Sequence, residues 1–541
     1  MRNLLLTSML FVVGCSMKFY PSINANRSIH EFNSYYLNDS LQISAVFPGD
    51  CELRQDSLSQ YVKRVRSLKN HSFKGLEPAW YLLHGHTDFA PYYQFVMLQL
   101  PKETIDPSDE HWEQVSDYFL QRFETNGALA MMKMTPLHDY LLIGFTDRSK
   151  LSNMSADFEG IIKSIETDEN YEPHVPESPF TLLFEKLNEA SAGKYLDVIT
   201  TLSSRADNYQ TNRQQQLYLQ SILTATSLVI DHPWYDSLEN SYEQHWRSNL
   251  DSLFYQDPWE ADQLEGALTV IADTAQVVML NELHWDRSHR MSLMRWLPLF
   301  KEQGFKYLAM EAIWQKDSLL NDRGYPVDSS GFYVKEPSLG HVIRKASELG
   351  FDLIAYESLP SQEREFGQAS NLYQATIAKD SEAKILVYAG LGHIDENGNR
   401  MAAQLKENFG IDPVTIDQFY LTLHEPLQPI LSASSNMKPH RSITTDFYMG
   451  VPTPTNYSWP DAKSIDIEVQ PSAIPTPIRE GDTMLTMLYV LDEWQSAKYA
   501  AIPLYNHWGI NTTYSLTPGK YYWQVVNAYG DVLSSETKVV K

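Results

Sequence analysis

Cysteine is almost absent from this chain, whose 541 residues include only Cys15 and Cys51. Two cysteines are too few for a zinc site built from a cluster of cysteines. The sequence also lacks a P-loop and a GxGxxG fingerprint. The hydrophobic fraction of 43% is ordinary for a globular protein, so hydrophobic cores can form. At about 150 residues per domain, the length allows roughly three or four domains.

Basic residues are also scarce, because 43 lysines and arginines face 68 acidic residues and the formal net charge is -25. An acidic surface repels phosphate backbones, so we expect no nucleic-acid partner. The same charge argues against a polybasic membrane-binding patch.

Long apolar runs are missing as well. The first apolar run of the chain, residues 4–13, is too short for a membrane-spanning helix, which needs about 20 residues. It has the length of the apolar part of a signal peptide. The four residues from 12 to 15, "VVGC", resemble a bacterial lipobox, in which the cysteine becomes lipid-modified. The alternative is a plain secretory signal that is cleaved elsewhere.

The lipobox resemblance implies that residues 1–14 are removed and that the protein is attached to a membrane through Cys15. Ser16 after the cysteine implies the outer membrane of the bacterial cell envelope. Cys51 would then have no partner for a disulfide within the chain.

We predict a multidomain protein that begins with a tether over 15–40 and an α+β domain over 41–170. In that domain a helix is predicted over 109–127, a hairpin around Thr135-Pro136, and a last helix over 154–166. The order of elements loosely resembles PsbP-like lipoprotein modules.

The pattern then changes twice. A helical region is predicted over 180–262, followed over 263–425 by alternating apolar strands and helices. Strands as continuously apolar as these are typical of a parallel sheet covered by helices, so this is predicted to be an α/β domain. Residues 426–541 resemble an immunoglobulin-like β-sandwich.

Polar residues cluster where the strands of the α/β domain end. They are Glu282 and His284, Glu311, Tyr356 and Glu357, Gly390 with Gly392 and His393, and Asp417. Ligands of open α/β sheets bind beyond the carboxyl ends of the strands, so these residues are expected to form one site. A simpler interpretation is that each acid caps the following helix.

Two kinds of chemistry fit these residue types. Two histidines with two or three carboxylates suit a divalent metal such as Zn, Mn, Co or Fe. Without a metal, a histidine paired with a glutamate can act as a general base toward water. Gly390 and Gly392 would let the backbone approach a ligand and donate N–H groups to it.

The ordered set "VVMLNELHWDRSHR", "GFKYLAMEAI" and "YAGLGHIDE" resembles the superfamily that joins the Tiki and TraB proteins, the ChaN haem-uptake lipoproteins and the erythromycin esterases. Glu282 and His284 match its GExH motif, Glu311 its second strand-end glutamate, and Gly390 and His393 its late GxxH. His289 fits a further downstream histidine. The resemblance covers about 160 residues.

The resemblance implies three alternatives. Tiki-like and esterase-like relatives imply a hydrolase of peptide or ester bonds, in which Glu282, His284, Glu311 and His393 bind a metal or activate water directly. ChaN-like relatives imply a haem-binding protein, with Tyr356 as a candidate ligand by position. The family glycine of GExH is Asn281 here, which favours a third alternative, a degenerate scaffold, although asparagine tolerates left-handed backbone.

Overall fold

The computed structural model describes most of the chain from residue 34 onward. The described residues are mainly 34–38, 43–47, 51–54, 81–87, 93–123, 127–167, 177–247, 261–358, 363–436, 443–452, 465–469 and 483–541, with short gaps inside several of these ranges. Cys15, the signal peptide and the predicted tether up to residue 33 lie outside them. No helix within the described part is both long and apolar enough to cross a bilayer.

The described chain divides into two compact units, and the first comprises residues from Ser16–Pro179 and Ser204–Tyr218. It holds a seven-stranded antiparallel sheet with the order β3-β4-β5-β9-β8-β7-β6 and a three-stranded sheet with the order β1-β2-β10. The elements are β1 (Ser34–Asn38), β2 (Ile43–Phe47), β3 (Cys51–Arg54), β4 (Tyr81–Thr87), β5 (Tyr93–Leu100), β6 (Glu113–Val115), β7 (Tyr118–Phe123), β8 (Ala128–Met134), β9 (Asp139–Thr146), α1 (Leu151–Lys163) and β10 (Glu166–Thr167).

Two predictions for this unit are confirmed, since β8 and β9 form the expected hairpin and α1 is the expected last helix. Two others are wrong. The end of the predicted tether forms β1, which pairs with β2. The helix predicted over 109–127 is instead the β6–β7 hairpin, which turns at Ser116 with φ 57°. Tyr118 and Phe119 of β7 pack into two different cores. Because both faces of this strand carry apolar residues, the sequence lacks the alternation of apolar and polar residues that marks a strand with one buried face.

The second unit comprises residues from Phe180–Ser203 and Leu219–Lys541. The described residues between 179 and 247 are mostly helical, as predicted. Before the central sheet the chain forms α2 (Pro179–Glu189), α3 (Tyr195–Ser203), α4 (Asn212–Ser227), α5 (Tyr235–Arg247) and α6 (Ala261–Thr274).

A mostly parallel sheet of seven strands forms the centre of this unit, with the order β13-β12-β14-β11-β15-β17-β16. Its strands are β11 (Val277–Glu282), β12 (Phe305–Met310), β13 (Asp352–Ala355), β14 (Lys384–Gly390), β15 (Val414–Asp417), β16 (Ile430–Ala433) and β17 (Phe447–Gly450). Every residue of β11 is buried, and β11 runs parallel to both of its neighbours, β14 and β15. The predicted parallel sheet is thus confirmed.

Helices connect these strands, as the alternating pattern predicted. They are α7 (Arg287–Glu302), the short α8 (Leu320–Arg323), α9 (Pro337–Glu348), α10 (Arg364–Ala375) and α11 (Met401–Phe409). The sheet continues past residue 425, where the sequence placed a domain boundary, because β17 pairs with β15 and β16 pairs with β17.

The C-terminal part contains two antiparallel sheets, one of β18 and β21 and one with the order β20-β19-β22-β23. Its elements are β18 (Ile465–Val469), β19 (Met484–Val490), α12 (Leu491–Ala497), β20 (Tyr505–Trp508), β21 (Thr512–Leu516), β22 (Gly519–Asn527) and β23 (Val532–Val540). Arg344 of α9 donates from Nε and Nη2 to the Glu493 carboxylate of α12, and His341 of α9 forms a hydrogen bond with the backbone oxygen of Leu504. This part is therefore joined to the central domain by buried polar contacts.

Candidate active site

The end of β11 supplies the first pair of predicted site residues. Glu282 is the last residue of the strand, and its carboxylate lies 3.0 Å from Nδ1 of His284. An ionised carboxylate can only accept a hydrogen bond, so Nδ1 is the donor, and in the neutral ring the lone pair is on Nε2. The Glu282 side chain is 2% exposed and that of His284 is 19% exposed. The imidazole therefore reaches solvent, while the carboxylate behind it is buried.

A fully buried arginine keeps Glu282 ionised. Arg290 donates from Nε to Glu282 at 2.8 Å, and from Nη1 to Glu336 at 2.8 Å. It also donates to the backbone oxygen of His284. Burial raises the pKa of Glu282, but Arg290 and His284 outweigh burial and lower this pKa to about 2. Glu282 is thus a carboxylate at neutral pH that holds His284 in one tautomer.

The ends of β12 and β14 supply the second pair. Glu311 accepts a hydrogen bond from Nη2 of Arg364 at 2.6 Å and another from the backbone N–H of Gly390 at 2.6 Å. Nε2 of His393 lies 3.4 Å from the Glu311 carboxylate. The expectation that Gly390 offers its N–H to a ligand is therefore wrong, because Glu311 already accepts it.

His393 lies between two carboxylates, since its Nδ1 is also 2.8 Å from Glu365. Burial lowers the pKa of His393, but Glu365 and Glu311 outweigh burial and raise this pKa to about 10. The side chain is 1% exposed. At neutral pH His393 is therefore a buried imidazolium, which suits a fixed positive charge and does not suit the role of a base.

The two pairs meet at Gly390. A Cβ atom at this position would lie 2.9 Å from Nε2 of His284 and 3.0 Å from a carboxylate oxygen of Glu311. A side chain here would collide with both groups, so glycine is what lets His284 and Glu311 pack this closely against the backbone. The structure thus brings together Glu282, His284, Glu311 and His393, which the sequence had placed in one site.

The donor set was also predicted to hold a divalent metal, and in the described arrangement its carboxylates are already paired with cations. Arg290 holds Glu282, Arg364 holds Glu311, and His393 is positively charged between two carboxylates. A cation would have to displace these buried charges to reach the carboxylate oxygens. Among the residues that the structure describes, no group of three histidine, cysteine or acidic side chains is arranged to hold a metal.

Asn281, which stands where the resembled GExH motif has glycine, is a buried structural residue. Asn281 lies inside β11, so the left-handed backbone considered from the sequence is not needed. Its side chain donates to Asp417 at 2.6 Å and accepts from the backbone N–H of Gln418 at 2.7 Å. Asp417 also accepts backbone hydrogen bonds after β15. Asn281 and Asp417 therefore tie β11 to β15 and do not join the two glutamate–histidine pairs.

Three further predicted residues have structural partners. The Tyr356 hydroxyl donates to the backbone oxygen of Tyr388 at 3.2 Å, and Glu357 binds Arg364. His289 is fully buried, and its Nδ1 accepts from the backbone N–H of Leu283 at 3.1 Å. Tyr356 is fully buried as well, so its hydroxyl does not present an iron ligand to a haem.

Gly392 lies beside Arg400, whose guanidinium carbon would be 3.5 Å from a Cβ at that glycine. Two other acidic residues do cap helices, since Asp286 caps α7 and Glu336 caps α9. Glu282 and Glu311 cap no helix.

The sequence analysis missed five residues that complete the site, namely Arg290, Tyr333, Glu336, Arg364 and Glu365. A signal for the arginines was present. Arg290 lies in the first turns of α7, and Arg364 is the first residue of α10. Cations are unfavourable near a helix N-terminus, so arginines there indicate buried carboxylate partners.

Comparisons with known proteins give limited information. No family model and no curated protein matches the chain. Solved structures with similarity include the type III effector HopBA1, at 11% identity over 38% of this chain and 99% of that one, with a TM-score of 0.27. RRSP, a MARTX toxin effector domain from Vibrio vulnificus, shares 12% identity over 52% of this chain and 69% of that one, with a TM-score of 0.24. At such scores these similarities assign no function.

Proposed function

We propose that this protein is a hydrolase of ester or peptide bonds, in which His284 is the general base and Glu282 orients it. The observation that supports this most is the single side-chain hydrogen bond of His284. Nδ1 is held by an ionised carboxylate, and Nε2, which lies against Gly390, has no hydrogen-bond partner among the described residues and is assigned to accept the proton.

In the proposed reaction, a water molecule lies beside Nε2 of His284. Nε2 takes one proton from this water, and the water oxygen attacks the carbonyl carbon of the substrate. The electron pair of the carbonyl double bond then moves to the carbonyl oxygen. When the bond to the leaving group breaks, the proton passes from Nε2 to the leaving alcohol or amine. The ionised Glu282 stabilises the imidazolium that forms between the two steps.

The second pair contributes charge rather than proton transfer. His393 and Arg364 both keep their positive charge at neutral pH, and Arg364 is partly exposed. Glu311, Glu357 and Glu365 already balance these two charges, so the proposal assigns only the partly exposed Arg364 to the carbonyl oxygen as it becomes negative. Glu311 and Glu365 hold these two cations in place.

The hydrolase proposal is tested on the protein without residues 1–14, with panels of nitrophenyl esters and fluorogenic peptides. His284→Ala should lower kcat by about 10²–10⁴-fold, the usual contribution of a general base. His138→Ala, in the other unit, should leave kcat unchanged. Turnover that survives His284→Ala would refute the proposed base, and absence of turnover on both panels would favour the degenerate scaffold.

The charge pairing of the site supports a reaction without a metal. We expect the purified protein, after exposure to Mn, Co, Zn and Fe(II), to bind far less than one equivalent. His393→Ala should not change that content. Near-stoichiometric metal that is lost in His393→Ala would contradict this and favour the metal-dependent peptidase.

The same proposal places the hydrolase in the bacterial cell envelope, anchored by lipid on Cys15 and facing small-molecule or peptide substrates. The support is the "VVGC" sequence. Labelling with a palmitate analogue tests it, and Cys15→Ala should abolish the label. For the C-terminal part we propose the immunoglobulin-like sandwich, which the antiparallel pairing of β19, β22 and β23 supports.

A further inference from the structure

Tyr333 lies face to face with the His284 ring. The two rings are stacked, with centroids 3.9 Å apart and planes inclined by 16°. Tyr333 is 4% exposed. It lies in a segment between β12 and α9 that neither the predicted strand ends nor the family motifs include.

A single hydrogen bond does not fix a histidine ring. The bond from Nδ1 of His284 to Glu282 anchors one atom, and the ring can still pivot about that contact. A flat aromatic surface against one face removes this freedom. With both contacts in place, Nε2 keeps its position against Gly390, where the pair of Glu311 and His393 also lies.

The segment that carries Tyr333 is itself held firmly. A Cβ at Gly331 would lie 1.9 Å from the backbone oxygen of Ala312, so this backbone packs directly on the residue after Glu311. Three residues after Tyr333, the Glu336 carboxylate binds Arg290, which also binds Glu282. Tyr333 is thus positioned from both sides by the framework that holds the two carboxylates.

We propose that Tyr333 is a positioning residue for His284, acting through its ring face to hold Nε2 toward the reacting water. The effect on turnover rests on the proposed hydrolase. The effect on the orientation of His284 does not, so the two can be measured separately.

The first readout is the NMR signal of His284 in protein with labelled histidine, assigned with His284→Gln. Tyr333→Leu should move the Hε1 resonance of His284 downfield and broaden it, because the shielding ring is lost. Tyr333→Phe keeps the ring and should leave the resonance near its original position. Tyr325→Leu is the matched control in the same segment and should have no effect.

The second readout is kinetic. Tyr333→Leu should lower kcat by about ten- to a hundredfold with a small change in KM, as expected for a misplaced catalytic group. Tyr333→Phe should stay within about twofold, since the ring face remains. If Tyr333→Leu fails to fold, Tyr333→Met takes its place.

An unchanged His284 resonance in folded Tyr333→Leu, or equal effects of the Phe and Leu variants, would overturn the proposal. If no substrate is turned over, the hydrolase fails, and the NMR comparison still decides the role of Tyr333.

Discussion

The two glutamate–histidine pairs consist of the same residue types at neighbouring strand ends, yet their surroundings give them opposite properties. His284 touches one carboxylate and its side chain is 19% exposed. His393 touches two carboxylates and its side chain is 1% exposed, with a pKa raised to about 10. The number of carboxylates and the degree of burial therefore make His393 a fixed cation and leave His284 as the histidine to which the proposal assigns the base.

Arg290 gives the largest expected effect, because it holds the first pair together. Arg290→Met leaves Glu282 buried without its arginine and leaves Glu336 with Arg287 alone, which should lower the free energy of unfolding by about 3–5 kcal/mol. The matched control is Arg295→Met on the same helix. Arg295 is exposed, so this substitution should change the free energy of unfolding by at most about 0.5 kcal/mol. Chemical denaturation followed by circular dichroism measures both, and equal losses would contradict the role of Arg290.

Glu365 tests the second pair through the pH dependence of stability. The folded-state pKa of His393 lies above its ordinary value of 6.5, so between these two pH values His393 carries a proton in the folded protein that it loses in the unfolded chain. This contribution is fully present below about pH 6.5 and is lost as the pH rises through about 10.

Glu365→Gln removes one carboxylate from His393 and should cost about 1.5–3 kcal/mol at neutral pH, with a shallower loss of stability toward high pH. Glu363→Gln, an exposed neighbour, is the control. The free energy of unfolding measured across this pH range gives both results. An unchanged pH profile in Glu365→Gln would show that Glu365 does not set the charge of His393.

Asn281→Gly introduces the glycine of the GExH motif that the sequence resembles, and it tests whether the first pair works better with glycine at this position. The change removes the hydrogen bonds to Asp417 and to the backbone of Gln418, which should lower the free energy of unfolding by about 1–3 kcal/mol. Because Asn281 lies outside the two pairs, kcat should not increase. A large gain in kcat would show that asparagine impairs the site.

Tyr356→Phe has the smallest expected effect and sharpens the contrast with Tyr333. It removes one neutral hydrogen bond, to the backbone of Tyr388, at a cost of about 0.5–1.5 kcal/mol. The His284 resonance should be unchanged. A haem titration should give no Soret shift that depends on this hydroxyl, and a shift lost in Tyr356→Phe would revive the haem-binding alternative.

Much of the central domain could be predicted from local sequence. The apolar runs of β11, β12 and β14 were long enough to identify buried parallel strands, and the polar residues after them followed from the rule on strand ends. The β6–β7 hairpin could not be predicted in this way, because apolar residues on both of its faces imitate a helical pattern.

The sequence by itself determined which ionisable residues end the strands, because strand ends can be read from hydrophobic patterns and turns. Only the tertiary structure decided their roles. Arg290 reaches Glu282 from a helix, Glu365 reaches His393 from another, and Tyr333 covers His284 from a loop. Ionisation depends on such contacts between distant residues and on burial, and neither can be read from the order of residues in the chain.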